Sequence, residues 1–133
     1  MDLPELARHR VQTFEIAWLT TVTGRGAPAP NPVWFLPDGE HLVVFVQPHS
    51  AKARNIAVRP LVTLHFETLD PAGGDVVVIH GSAVLEPGVT PTAVPAFVAK
   101  YAALMEQIGL TAEEMDTYDT LIRITPERVR IGI

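Results

Sequence analysis

The sequence predicts a mainly β, α+β fold: a small antiparallel barrel, closed or split, with short helices at its periphery. Three observations predict it. Six or so segments rich in β-branched and aromatic residues alternate with Gly, Pro and Asp turn signals at a spacing that suits hairpins. Only one segment, 94–108, carries a long helical repeat. Finally, Ala27-Pro28-Ala29-Pro30-Asn31-Pro32 sets three prolines where a strand should run, which confines that strand to a sheet edge or bulge. An open α+β sheet is the alternative on the same grounds.

The elements follow in order. Residues 4–13 read as a short helix, with Pro4 in the first turn and Leu3, Leu6, Ala7 and Val11 as an imperfect apolar stripe. Residues 16–23 form a first strand, which Gly24-Arg25-Gly26 turns. After the proline run, Val33-Trp34-Phe35-Leu36 resumes as strand, Pro37-Asp38-Gly39-Glu40 turns, and 41–47 returns as the hairpin partner. A turn containing Pro48 leads into a short helix with Ser50 as N-cap, Ala53, Ile56 and Ala57 at helical spacing, and Pro60 as its stop. Residues 61–68 alternate as a strand, with Val62, Leu64 and Phe66 on one face and Thr63, His65 and Glu67 on the other. After a loop at 70–74, residues 75–86 form a long strand in which Gly81 marks a bulge or a close approach. The helix 94–108 sets Phe97, Tyr101, Leu104 and Ile108 at 3–4 spacing and stops at Gly109. Thr111-Ala112-Glu113-Glu114 is a capping-box pattern opening one more short helix. Residues 121–124 and 128–133 close the chain as two strands.

A length of 133 residues suits one domain, 1–133, with a real core. The hydrophobic fraction of 47% and charged fraction of 19% describe an ordinary globular chain. A formal charge of −5 argues against general nucleic-acid binding. The absence of cysteine excludes disulfides, thiolate nucleophiles and Cys-bearing zinc sites. Met1-Asp2-Leu3-Pro4-Glu5 does not read as a signal peptide, and no apolar stretch approaches membrane-spanning length, so the expected location is cytoplasmic.

The stretch with chemical content is Gln47-Pro48-His49-Ser50-Ala51-Lys52-Ala53-Arg54-Asn55-Ile56. Lys52 and Arg54 fall near the first turn of the short helix, where the dipole disfavours cations. Two cations, free N–H groups and a Ser hydroxyl make sense there if an anion occupies the site; a solvated helix start is the alternative. The proline-distorted edge before Trp34 and Phe35 leaves backbone groups free to meet a flat heteroaromatic ring, although one of these aromatics must alternate inward as core. His9, His41, His49, His65 and His80 show no metal-ligand spacing, and no metal is expected. His49 alone lies within reach of an anion bound to the stretch. Glu113, Glu114, Asp116 and Asp119 read as a solvated acidic face. There is no nucleophile elbow, triad set or Gly-rich phosphate loop. No catalytic residue is assigned, and if the protein is an enzyme, a cofactor carries the chemistry.

Taken together, these residues resemble the flavin/deazaflavin-dependent split-barrel family, relatives of pyridoxamine 5′-phosphate oxidase, and within it the oxidoreductases that use the deazaflavin coenzyme F420. The resemblance runs through Ala17-Trp18-Leu19-Thr20-Thr21-Val22, Pro32-Val33-Trp34-Phe35-Leu36 with Asp38-Gly39, and the 47–56 stretch. It continues through Val78-Ile79-His80-Gly81-Ser82-Ala83, Phe97-Val98-Ala99-Lys100-Tyr101 and Thr125-Pro126-Glu127-Arg128-Val129-Arg130. It implies a homodimer of split barrels with cofactor sites at the interface. The segment from Ser50 through Ala51, Lys52, Ala53 and Arg54 to Asn55 would hold the cofactor phosphate, chiefly through Lys52 and Arg54. The ring would lie against Pro32, Val33, Trp34 and Phe35 with Gln47 nearby, and the reduced ring would pass a hydride to an unsaturated organic acceptor. An FMN-dependent oxidoreductase and a non-catalytic binding or storage protein are the alternatives. Two departures stand out. Family members often carry a Trp after the Arg-Val-Arg run, where this chain has Ile131-Gly132-Ile133, and the fuller basic set of the FMN-binding oxidases is missing, which favours F420.

Overall fold

A computed structural model describes residues 2–133. Seven strands form one antiparallel sheet: β1 (Ile16–Val22), β2 (Pro28–Trp34), β3 (Leu36–Asp38), β4 (His41–Val46), β5 (Leu61–His65), β6 (Val77–Pro87) and β7 (Thr120–Ile131). Their spatial order is β2-β1-β5-β6-β7-β4-β3. The two outermost strands, β2 and β3, are consecutive in the chain and separated by Phe35 alone. The sheet must therefore curl until its edges meet, and the product is a half-barrel with a seam at Phe35.

Helices α1 (Glu5–Thr13), α2 (Ala51–Val58), α3 (Pro95–Ile108) and α4 (Ala112–Met115) surround it, with a 3₁₀ turn at Pro91–Ala93. The inner core gathers Leu19, Leu42, Val44, Leu64, Ile79, Ile122 and Ile124 from the strands and Phe35 from the seam, with Ala7 and Val11 of α1 and Ala53 and Ile56 of α2. A second cluster sets Leu36, Val43, Phe45 and Leu121 against Phe97, Tyr101 and Met105 of α3 and Met115 of α4. β4 faces both clusters, which is why His41-Leu42-Val43-Val44-Phe45-Val46 is nearly continuous in apolar residues rather than alternating.

Of the two places expected for the proline run, a sheet edge or a bulge, it takes the edge: it is the edge strand β2, paired with β1 from Val22↔Pro28 to Ile16↔Trp34. Several other expectations need adjustment. The ladder breaks at Phe35, and Leu36-Pro37-Asp38 pairs with β4, so only Gly39-Glu40 turns. The two closing strands are one: β7 runs through Pro126, which stands opposite Gly81 at the register shift on β6. A bulge tolerates a residue without an N–H, and a Cβ at Gly81 would collide with the Thr125 carbonyl oxygen. On α3 the buried positions are Phe97, Tyr101 and Met105, while Ile108 is exposed beside the left-handed Gly109 cap. Ala57 of α2 faces solvent. The capping box is present: Thr111 Oγ1 accepts from the Glu114 N–H at 3.1 Å, and Glu114 Oε1 accepts from the Thr111 N–H at 3.1 Å. Among the described residues no helix is long and apolar enough to cross a membrane.

Candidate functional site

The curled sheet brings the end of β2 and the end of β4 to opposite sides of the seam. Between them lies a cleft of about 380 Å³, lined by Pro32, Val33 and Trp34 from β2 and by Phe45, Val46 and Gln47 at the end of β4. Ser50 and Lys52 at the start of α2 make a polar end. Leu110, Met115 and Tyr118, around α4, complete an apolar end.

The polar end follows from local sequence. Ser50 is extended and its Oγ accepts from the Ala53 N–H at 3.2 Å, which starts α2 and leaves the hydroxyl proton available to donate. The first turn holds no acidic residue. Lys52 is half-buried, and desolvation lowers its pKa. The ion pairs among the described residues join Arg10 to Asp75 and Arg123 to Asp38 and Glu86, and none reaches Lys52. A partly desolvated ammonium without a counter-charge is unfavourable by itself and favourable next to an anion.

The other residues expected at the site are placed differently. Arg54 does not line the cleft; it is exposed, and its guanidinium donates to the His49 carbonyl at 2.6 Å. Asn55 points to the sheet, donating to the buried Thr21 hydroxyl at 3.0 Å, and so fixes α2 against β1. Ala53 is core, and Ala51 is exposed outside the lining. Phe35, grouped with Trp34 as a ring contact, is fully buried and packs edge-on against Phe66 at 5.5 Å. The alternation of the chain at the seam sends it inward while Trp34 faces the cleft. Of the eleven expected residues, the fold therefore brings Pro32, Val33, Trp34, Gln47, Ser50 and Lys52 together.

Trp34 is presented as a flat surface. One face of its indole is stacked on Tyr101, with centroids 4.6 Å apart and planes 1° from parallel. Gln47 is exposed and tied across the cleft by Nε2 donating to Thr117 Oγ1 at 3.3 Å. Leu110, Met115 and Tyr118 were missed in the sequence. The available signal was the pair of large apolar or aromatic side chains, Met115 and Tyr118, inside the acidic run 113–119. No carboxylate or imidazole lines the cleft, so its chemistry is that of holding an anionic group at one end and a flat apolar one at the other. The histidines are dispersed: His65 is stacked with Trp18 at 6.3 Å, and His80 stands opposite Arg128. Burial and the nearby Arg128 and Arg130 guanidiniums lower the His80 pKa. Among the described residues no three His, Cys, Asp or Glu come together as a metal-ligand set.

Comparison with known proteins agrees with the fold. The family model described as pyridoxamine 5′-phosphate oxidase matches residues 3–131. No curated protein matches the chain. A solved structure described as an F420 reductase is 26% identical, covers 96% of this chain and 98% of its own, and has a TM-score of 0.71. A putative pyridoxamine 5′-phosphate oxidase from Listeria innocua is 21% identical with 94% of both chains covered and a TM-score of 0.66. HutZ, the heme storage protein of Vibrio cholerae, is 20% identical, covers 99% of this chain and 96% of its own, and has a TM-score of 0.65. The last two are similar in fold alone.

Proposed function

The chain belongs to the pyridoxamine 5′-phosphate oxidase family, and we propose that within it the protein is an F420-dependent reductase acting on an unsaturated organic substrate. FMN is the alternative cofactor. The observation that carries this reading is Lys52: a half-buried ammonium with no counter-charge among the described residues, at the polar end of a cleft whose neighbouring wall is the indole of Trp34. The residues present fit a phosphate-bearing ring system. Lys52 and the Ser50 hydroxyl would hold the phosphate, Trp34 and Pro32 would flank the ring, and Gln47 would hydrogen-bond its polar edge.

When bound, the reduced deazaflavin supplies the hydride. The chain's own share is to bind, to orient the ring and to keep water from one side of it with Phe45, Leu110 and Met115. One chain offers one cation to a phosphate, which supports a homodimer in which a second copy completes the site. Sedimentation of the apo-protein tests that state. The decisive experiment is a titration of apo-protein with F420 and, in parallel, FMN at fixed salt. Tight F420 binding with weak FMN binding is expected; the reverse preference selects the oxidase-like branch, and binding of neither sinks the cofactor reading. The second reading is a protein that only binds or stores the cofactor; the lining without carboxylate or imidazole favours neither, because hydride transfer can take its proton from water. Turnover of activated enones with reduced F420 separates it from the reductase.

A further inference from the structure

The seam beside the cleft is closed by two residues of α3 that do not line it. Phe35 stands between β2 and β3 and belongs to neither ladder. Its backbone groups are taken up by α3 instead. The Phe35 N–H donates to Tyr101 Oη at 2.9 Å, and the Phe35 carbonyl accepts from Lys100 Nζ at 2.9 Å and lies 2.8 Å from Tyr101 Oη. The same hydroxyl is 2.7 Å from the Glu15 carbonyl, just before β1, so its single proton serves two acceptors. Lys100 Nζ also sits 3.7 Å from the centre of the Phe35 ring.

Tyr101 thus acts twice on one dipeptide: its hydroxyl fixes the Phe35 backbone, and its ring backs the Trp34 indole. Nothing on the outer side of β2 can do this work, because β2 is an edge strand whose only ladder is to β1. The geometry points to Tyr101 and Lys100 as positioning residues of the cleft: by holding the chain at Phe35 they set the angle at which Trp34 meets a bound ring. The step from indole angle to affinity rests on the ring-binding reading given above.

The test uses the full chain with Trp18→Phe, which leaves Trp34 as the single indole of the two in the sequence. Tyr101→Phe keeps the stack and removes the hydroxyl; Lys100→Met keeps the hydroxyl and removes the ammonium. Acrylamide quenching and emission of Trp34 are read without ligand, and affinity by titration with F420 and FMN. Both variants are expected to expose Trp34 to quencher, shift its emission to the red and weaken binding about tenfold, the scale of one hydrogen bond. Ile79→Val, a core change in β6, three strands from either edge of the sheet, is the control: it lowers stability and leaves Trp34 emission and affinity unchanged. A folded Tyr101→Phe protein with unaltered Trp34 quenching overturns the proposal. If that variant does not fold, unaltered quenching in Lys100→Met overturns it instead. If the parent protein binds neither cofactor, the proposed function fails, while the quenching of Trp34 still decides whether Tyr101 and Lys100 position it.

Discussion

Replacing Lys52 by methionine keeps most of the apolar stem and removes the charge. It is the cation this chain contributes to the cleft lining, so an anionic ligand loses a charge-assisted contact that no other residue of the same lining replaces. Such contacts contribute about 1.5–3 kcal/mol, which corresponds to binding weaker by roughly 10- to 150-fold. Arg54→Ala is the paired control. Its guanidinium is exposed, outside the cleft lining and occupied by the His49 carbonyl, so affinity is expected to change by less than about threefold, the range of an exposed charge. Isothermal titration of both variants with F420 at two salt concentrations measures this, with a flatter salt dependence expected for Lys52→Met. The same substitution acts oppositely on the empty protein. A desolvated cation without a counter-charge is gone, so the urea midpoint is expected to rise. Affinity retained in Lys52→Met and lost in Arg54→Ala would refute the assignment of the anion to the Lys52 end.

Further expectations concern the fold that carries the cleft. Phe35→Ala empties a fully buried position at the seam and should destabilise by about 3–5 kcal/mol in urea unfolding. Gly81→Ala drives a methyl group toward the Thr125 carbonyl; a loss of about 1–3 kcal/mol is expected, and an unchanged midpoint would show that β7 can shift there. Burial lowers the Lys100 pKa from 10.5 to about 8, with Glu15 opposing. Between those values the unfolded chain keeps a proton that the folded chain has released, so stability due to this group rises with pH through that window, and Lys100→Met should flatten the rise. Asp75 accepts from the Leu69 and Asp70 N–H groups at 2.8 and 3.2 Å, which lowers its pKa below 3.8. Its contribution is present above that value and lost as pH falls through the folded pKa, so Asp75→Asn should reduce the acid sensitivity of unfolding.

The strands and helices were largely legible because each announced itself locally. Ser50 and Thr111 are the caps they were expected to be, and Gly81 and Gly109 stand where a close approach and a left-handed stop require them. What local pattern could not carry is pairing. Pro126 reads as a strand break until Gly81 is set opposite it, and Pro37-Asp38 reads as part of a turn until β4 is beside it. The site divides in the same way. Lys52 was visible as a cation where the helix dipole disfavours one, Ser50 as an N-cap, and Trp34 as one of two aromatics of which one had to turn inward. Arg54 looked equivalent to Lys52 because both are cations near the start of one short helix, and only the fold shows that one faces the cleft and the other the His49 carbonyl. Tyr101 had the spacing of a core residue, which it is, and its hydrogen bonds to residues 66 and 86 positions away leave no trace in the sequence.

The prolines of β2 have a consequence for what the sheet can join. Pro28, Pro30 and Pro32 share one parity, so their backbone groups point the same way. The ladder to β1 requires N–H groups, which Ala29, Asn31 and Val33 supply, and the imide nitrogens therefore face outward. That rim presents carbonyl acceptors and no donors at these three positions, and a foreign strand cannot form the reciprocal pairs of a ladder with it. At the other rim β3 is three residues long. Both ends of the sheet are thus poor templates for strand addition and for the aggregation it seeds, and in the proposed homodimer a second copy would recognise the first through side chains rather than by extending its sheet.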